Sequence, residues 1–194
     1  MKTPKNLFAI MVLTLTTAVL LTGCVGSKYM RETNTLQQPG EGYALVTFVR
    51  PVSFGFGVEC MVWDGEQFAG MLNAHKVLEY QASPGEHLFL AHTGNWSYLK
   101  ATLEAGKHYY VVAKIFPGKA VGFKVGVALN PVVKGGEVTD EQINEWVSNG
   151  TPSEMIPEEC AALQAKQLPR VREAIDNFHA GEVEYAVLAV DDSR

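Results

Sequence analysis

The side chains able to do chemistry are scattered along the chain. Five histidines are present (His75, His87, His92, His108 and His179), and no HExxH spacing places two of them on one helix face, as a zinc protease requires. His87 and His92 are five apart, so on one continuous strand they face opposite sides. A composite metal site from Glu86, His87 and His108 needs strands 87–92 and 108–116 to be neighbours. Histidines hydrogen-bonded where a strand begins are the plainer account, so no metal and no cofactor is expected. No serine sits in a GxSxG turn, and no histidine or acid stands in a recognisable triad context. The acids Glu59, Asp64, Glu66 and Glu79 fall on strands or turns, and nothing marks two of them as the facing carboxylates of a glycosidase. Gly55-Phe56-Gly57 lacks the third glycine and following helix of a dinucleotide site, and residues 118–122 lack the Lys-Ser/Thr pair of a phosphate loop. The expectation is a chain without catalytic residues, not an enzyme.

The three cysteines divide into one and two. Cys24 ends a tripartite leader. Residues 1–6 carry Lys2 and Lys5, and residues 7–21 (LFAIMVLTLTTAVLL) are a charge-free apolar run of 15, short of the ~20 that span a bilayer. Leu21-Thr22-Gly23-Cys24 follows. This tetrapeptide is similar to the lipobox of bacterial lipoproteins, an aliphatic residue and two small ones before the cysteine that receives a diacylglyceryl group. The resemblance implies that residues 1–23 are removed as a signal peptide and that Cys24 begins the mature chain, bearing two or three acyl chains. Each buried methylene contributes about 0.8 kcal/mol, and two chains hold where one holds only marginally. Val25 comes next. In bacteria that use an aspartate there as an inner-membrane retention signal, its absence implies the outer membrane. Cys60 and Cys160 remain. In an oxidising compartment they either form a disulfide across about 100 residues, worth up to about 4.7 kcal/mol by chain entropy, or stay as two separately buried thiols.

An apolar share of 47% with 19% charged residues fits a globular chain and excludes wholesale disorder. Losing residues 1–23 takes the net charge from −5 to −7. That surplus of acid excludes binding to nucleic acid, which needs clustered Lys and Arg, and argues against a basic patch gripping anionic lipid head groups. The expected partners are the bilayer, through acylated Cys24, and another envelope protein.

The elements that must position any site begin after a polar stretch. Residues 25–42 show no sustained periodicity and read as a flexible tether about 23 Å long. From Tyr43 short apolar runs alternate with turn residues. The runs are 43–50, 58–63, 66–72, 76–81, 87–92, 97–103, 108–116 and 121–129, a spacing that suggests a sandwich or barrel. Asp64-Gly65 reads as a two-residue hairpin turn. Val121, Phe123, Val125, Val127 and Leu129 share one face of the last run. After Pro131 the period becomes helical. Thr139 and Gln142 form a capping box, Gly150 ends that helix, and a second runs from Pro157 to His179 with Pro169 expected to kink or divide it. Residues 183–190 return to strand character. SFGFG (53–57) places Phe54 and Phe56 on a glycine-flexed loop, and Trp96 follows another turn. These three are the candidate partner-contact aromatics, with folding back over an end of the sandwich as the alternative.

FVRP (48–51), VWDGEQFAG (62–70), SPGEH (83–87) and EAGKHYYVV (104–112) stand in an order and spacing that resembles an uncharacterised domain of bacterial lipoproteins, itself similar to PEGA and transthyretin-like sandwiches. The resemblance covers residues 41–133 and brings no catalytic residue with it. It implies a mainly β fold, an antiparallel β-sandwich over 43–133; outside the resemblance, the change of period adds a C-terminal helical extension and terminal strand over 134–194. The expected function is a non-catalytic interaction or structural module of the envelope. The alternative is a periplasm-facing lipoprotein that binds a small ligand or glycan.

Overall fold

Apolar runs become strands and the turn residues between them become connections. The computed structural model describes residues 27–118 and 125–194; the leader and Cys24 lie outside the described residues, as do Val121 and Phe123. The strands are β1 (Met30–Glu32), β2 (Ala44–Val49), β3 (Cys60–Asp64), β4 (Gln67–Leu72), β5 (Lys76–Ala82), β6 (Gly85–His92), β7 (Trp96–Leu103), β8 (His108–Pro117), β9 (Val125–Pro131), β10 (Thr151–Met155) and β11 (Ala186–Leu188). The helices are α1 (Asp140–Asn149) and α2 (Pro157–His179).

Two sheets result, in the orders β1-β10-β5-β2-β8-β9 and β11-β7-β6-β3-β4. The fold is mainly β, but not purely antiparallel. β2 pairs with β8, β10 with β5 and β11 with β7 in parallel. In each case the chain returns over a long connection, which parallel pairing demands and a hairpin cannot supply.

One apolar cluster is shared by both sheets. Ala44, Val46 and Phe48 of β2 and Val111 and Ala113 of β8 pack with Cys60 and Val62 of β3 and Phe89 and Ala91 of β6. Phe48 meets Phe89 edge to face at 5.3 Å, the arrangement ring quadrupoles prefer. Leu45, Thr47 and Val49, on the opposite parity of β2, are buried as well, so this central strand has no solvent face. α1 lies over that side, with Trp146 beside Val112 and Ile143 beside Tyr110. Across the molecule α2 brings Cys160, Val171 and Ala174 onto Trp63, Leu90 and Tyr98, the outer face of the second sheet.

Local sequence sets the helix starts. Thr139 accepts from the Gln142 amide while the Gln142 side chain reaches back to the Thr139 N–H, so two otherwise orphaned donors are satisfied. α2 starts at Pro157 and runs unbroken through Pro169.

Three expectations are corrected. The hairpin between β3 and β4 pairs Asp64 with Gln67, so its central residues are Gly65 and Glu66. Gly65 has φ +53°, and a positive φ at the first central residue is the type II′ pattern. Farther along the ladder the register shifts between Val62 and Trp63, leaving Ala69 as the extra residue on β4. The second correction concerns the tether, whose described residues, from Ser27, pack against the domain. The buried Ser27 hydroxyl donates to Met71 Sδ at 3.4 Å, β1 pairs with β10, and the Gln37 and Gly40 amides donate to the Glu79 and Gln81 side chains at 2.8 and 2.9 Å. Polar residues without periodicity find polar partners along β5. Third, the tail contributes a strand that its polar sequence did not announce: β10 sits between β1 and β5, while the terminal strand expected within 183–190 is β11, paired with β7.

Candidate functional site

Five apolar residues and Thr47 fill β2, and Arg50 follows directly. Pro51 then ends the ladder because it has no N–H to give. Arg50 is completely buried. Its guanidinium donates to the carbonyls of Val58 and Gly55, and at 3.2 Å to those of Leu72 and Phe54. Backbone dipoles, rather than a carboxylate, answer its charge, while its Nε is left without a partner. Burial lowers the Arg50 pKa and pushes the neighbouring Cys60 thiol up to about 12, so that thiol stays protonated.

Three of those carbonyls belong to the loop 51–58, which the planar fork fixes from inside. Gly55 makes the turn with φ +67°, and a Cβ there would come within 3.1 Å of Ile115 on β8. The loop is therefore held against β8 while its side chains point out: Val52 is 45%, Phe54 47% and Phe56 72% exposed. Beside it runs an open groove of about 530 Å³ between the first sheet and α1, walled mainly by Pro51, Val52, Val112, Ile115, Val133 and Trp146, with Lys114 and Glu137 among its few charges. This preformed apolar face is the candidate site.

Arg50→Leu is expected to leave four carbonyls without donors and to destabilise the protein by at least about 3 kcal/mol. Arg50→Lys is expected not to restore it, since one ammonium cannot span the four acceptors. Denaturant midpoints and protease nicking within 51–58 measure both. A wild-type midpoint in Arg50→Lys contradicts the clamp.

Two histidine clusters resemble catalytic pairs and are closed. On the first sheet, His108 Nε2 lies 2.7 Å from Thr47 Oγ1 and Nδ1 lies 3.1 Å from the Tyr110 hydroxyl. Burial pushes the His108 pKa down to about 4, so the ring is neutral. One hydroxyl donates to its bare nitrogen and the other accepts from its N–H. Thr47 is fully buried and no substrate reaches it. On the second sheet, His87 Nδ1 donates to Asp64 at 2.8 Å and Nε2 donates to the Ser83 carbonyl at 2.7 Å. Tyr80 donates to the same carboxylate at 3.0 Å. With acceptors on both nitrogens His87 is held as imidazolium, its pKa raised chiefly by the Asp64 hydrogen bond against the opposing effect of burial.

These shifts fix a pH profile. The raised pKa of His87 stabilises fully below about 6.5, the unfolded value, and that stability is lost as pH rises through the folded pKa. The lowered pKa of His108 acts oppositely, its contribution disappearing as pH falls from about 6.5 toward 4. A stability maximum near pH 6.5 is expected, and Asp64→Asn is expected to flatten the alkaline limb alone. Denaturant midpoints across pH 4 to 9 test this; an unchanged alkaline limb in the variant contradicts it.

The remaining candidates separate. His87 lies on β6 and His108 on β8, in different sheets, while Glu86 pairs with Lys100 at 3.0 Å, so that trio is not brought together. No cluster of three metal-ligating side chains occurs among the described residues. Cys60 and Cys160 are free thiols. Cys60 belongs to the core between the sheets and Cys160 to the cluster under α2, so the second sheet stands between them and no disulfide forms. Trp96 is not a free loop aromatic either; it packs on His92 at 4.5 Å within the α2 cluster. Phe54 and Phe56 remain. Arg50 escaped the sequence reading, though an arginine between a mainly apolar run and a proline is a signal for a buried one. Comparison with known protein families and with curated proteins finds no match to this chain.

Proposed function

We propose that this protein is a lipid-anchored envelope protein whose β domain is a non-catalytic interaction module. In this reading Cys24 is acylated after removal of residues 1–23, the two sheets form a PEGA- or transthyretin-like sandwich, and the molecule resides at the outer membrane. One observation carries the module reading: an arginine-clamped loop holds Phe54 and Phe56 in solvent beside an open, mainly apolar groove, while both histidine clusters are closed. Exposed, preorganised apolar residues lower the ordering cost of association. The apolar lining also weighs against a glycan site, which needs converging polar groups.

A photo-crosslinking residue placed at Val133, in the groove wall, is expected to give one discrete adduct in intact cells. The same residue at Val187, exposed on β11, is expected to give none. Absence of an adduct at 133, or identical ladders at both positions, contradicts the reading.

A further inference from the structure

The loop 51–58 and the first described residue meet at one turn. Ser53 Oγ pairs with His75 Nε2 at 2.7 Å, and the His75 amide donates to the Arg50 carbonyl at 2.8 Å. His75 ends the short connection from β4 to β5 and carries φ +57°. On the other side of that connection, Ser27, Met71, Asn73 and Lys76 line a single small cleft. The phenylalanine loop and Ser27 thus flank the same turn, at one end of the molecule.

Only Val25 and Gly26 separate Ser27 from Cys24. Covalent geometry limits that connection to about 10–11 Å. On the proposed reading, acyl chains on Cys24 hold this end within that distance of the lipid. The depth to which apolar side chains of interfacial proteins enter a bilayer is about 5–10 Å, which phenylalanines at this end of the molecule suffice to fill.

The chemistry of the loop suits that neighbour. PVSFGFGV carries no charge over eight residues, and its valine and phenylalanines are those left exposed by the Arg50 clamp. Lys28, exposed beside Ser27, offers one cation to an anionic head group. Glu59, exposed just after the loop, limits the depth: the phenylalanines enter while the carboxylate stays in water. Apolar area, not charge, must supply the attraction, in keeping with the net −7 left after residues 1–23 are removed.

We propose that Val52, Phe54 and Phe56 insert into the bilayer interface beside acylated Cys24, as a second, non-covalent foot that fixes how the domain stands on the membrane. This rests on the lipid-anchor reading above and deepens it. The foot uses the three loop side chains and leaves the groove beside them, walled by Val112, Val133 and Trp146, to the envelope partner.

The test uses the full chain, expressed with its own leader and reconstituted into vesicles of phosphatidylethanolamine with a minority of phosphatidylglycerol. An environment-sensitive fluorescent amino acid replaces Phe56 or, on the opposite edge strand, Val187. The expected result is a blue-shifted emission at position 56 that loses most of its intensity to doxyl-labelled lipid, and no change at 187. Water-like emission at 56 overturns the proposal. So does blue-shifted emission that lipid quenchers do not touch, since a protein partner or a second copy then covers the loop. The mass of the Cys24 peptide from the same preparation reads the anchor separately. Acylation with a water-exposed probe removes the foot and keeps the anchor, whereas a quenched probe without acylation does the reverse.

Discussion

A chain truncated after Val133 is expected to lose cooperative folding. The missing residues supply β10, an interior strand of the first sheet, and β11, which pairs with β7 in the second. They also supply α2, the cover over Trp63, Phe68, Leu90 and Tyr98. Returning those four side chains to water forfeits roughly 6–12 kcal/mol, which is comparable with the whole stability of an ordinary domain, about 5–15 kcal/mol. Polar fastening is lost too. The Arg194 amide donates to the His108 carbonyl at 2.9 Å, and the buried Ser153 hydroxyl donates to the Val77 carbonyl at 3.3 Å. Residues 25–133, expressed alone, are expected to aggregate or to melt without a cooperative transition. Melting at the same temperature as residues 25–194 shows instead that the tail is an appendage.

Much of this architecture was legible because it is written locally. The apolar runs from Tyr43 onward stand between turn residues, and the capping box at Thr139 and Gln142 needs only four positions to be read. What escaped is written at a distance. MRE in β1 and TPSEM in β10 have no apolar periodicity; they are strands because each pairs with the other and β10 with β5. The histidine partners lie far off in sequence, Asp64 for His87 and Thr47 for His108, and neither strand alone indicates which sheet it joins. The two cysteines could not be resolved for the same reason: parity places Cys60 with Val62, but only the packing of α2 puts Cys160 on the far side of that sheet. In the candidate site, the exposed phenylalanines were visible as a glycine-flexed aromatic loop. The groove was not, because it is made by α1 lying across β8 and β9.

The largest effect on the life of the protein is expected from Cys24→Ala. No helix among the described residues is long and apolar enough to cross a membrane, and the net charge of −7 after loss of residues 1–23 gives little attraction to anionic lipid. On the proposed reading the covalent lipid is the strong hold. Two acyl chains bury enough methylenes, at about 0.8 kcal/mol each, for attachment that survives washing, whereas the three side chains of the loop supply a reversible contact. Removing the acceptor thiol is therefore expected to abolish lipid incorporation and outer-membrane retention. The fold is expected to stay intact, since both apolar clusters are built from residues 29–188. Metabolic labelling with a fatty acid reads the central claim most directly: label in the wild-type chain and none in Cys24→Ala is the expected result, and equal label in both, or none in either, contradicts the lipid anchor.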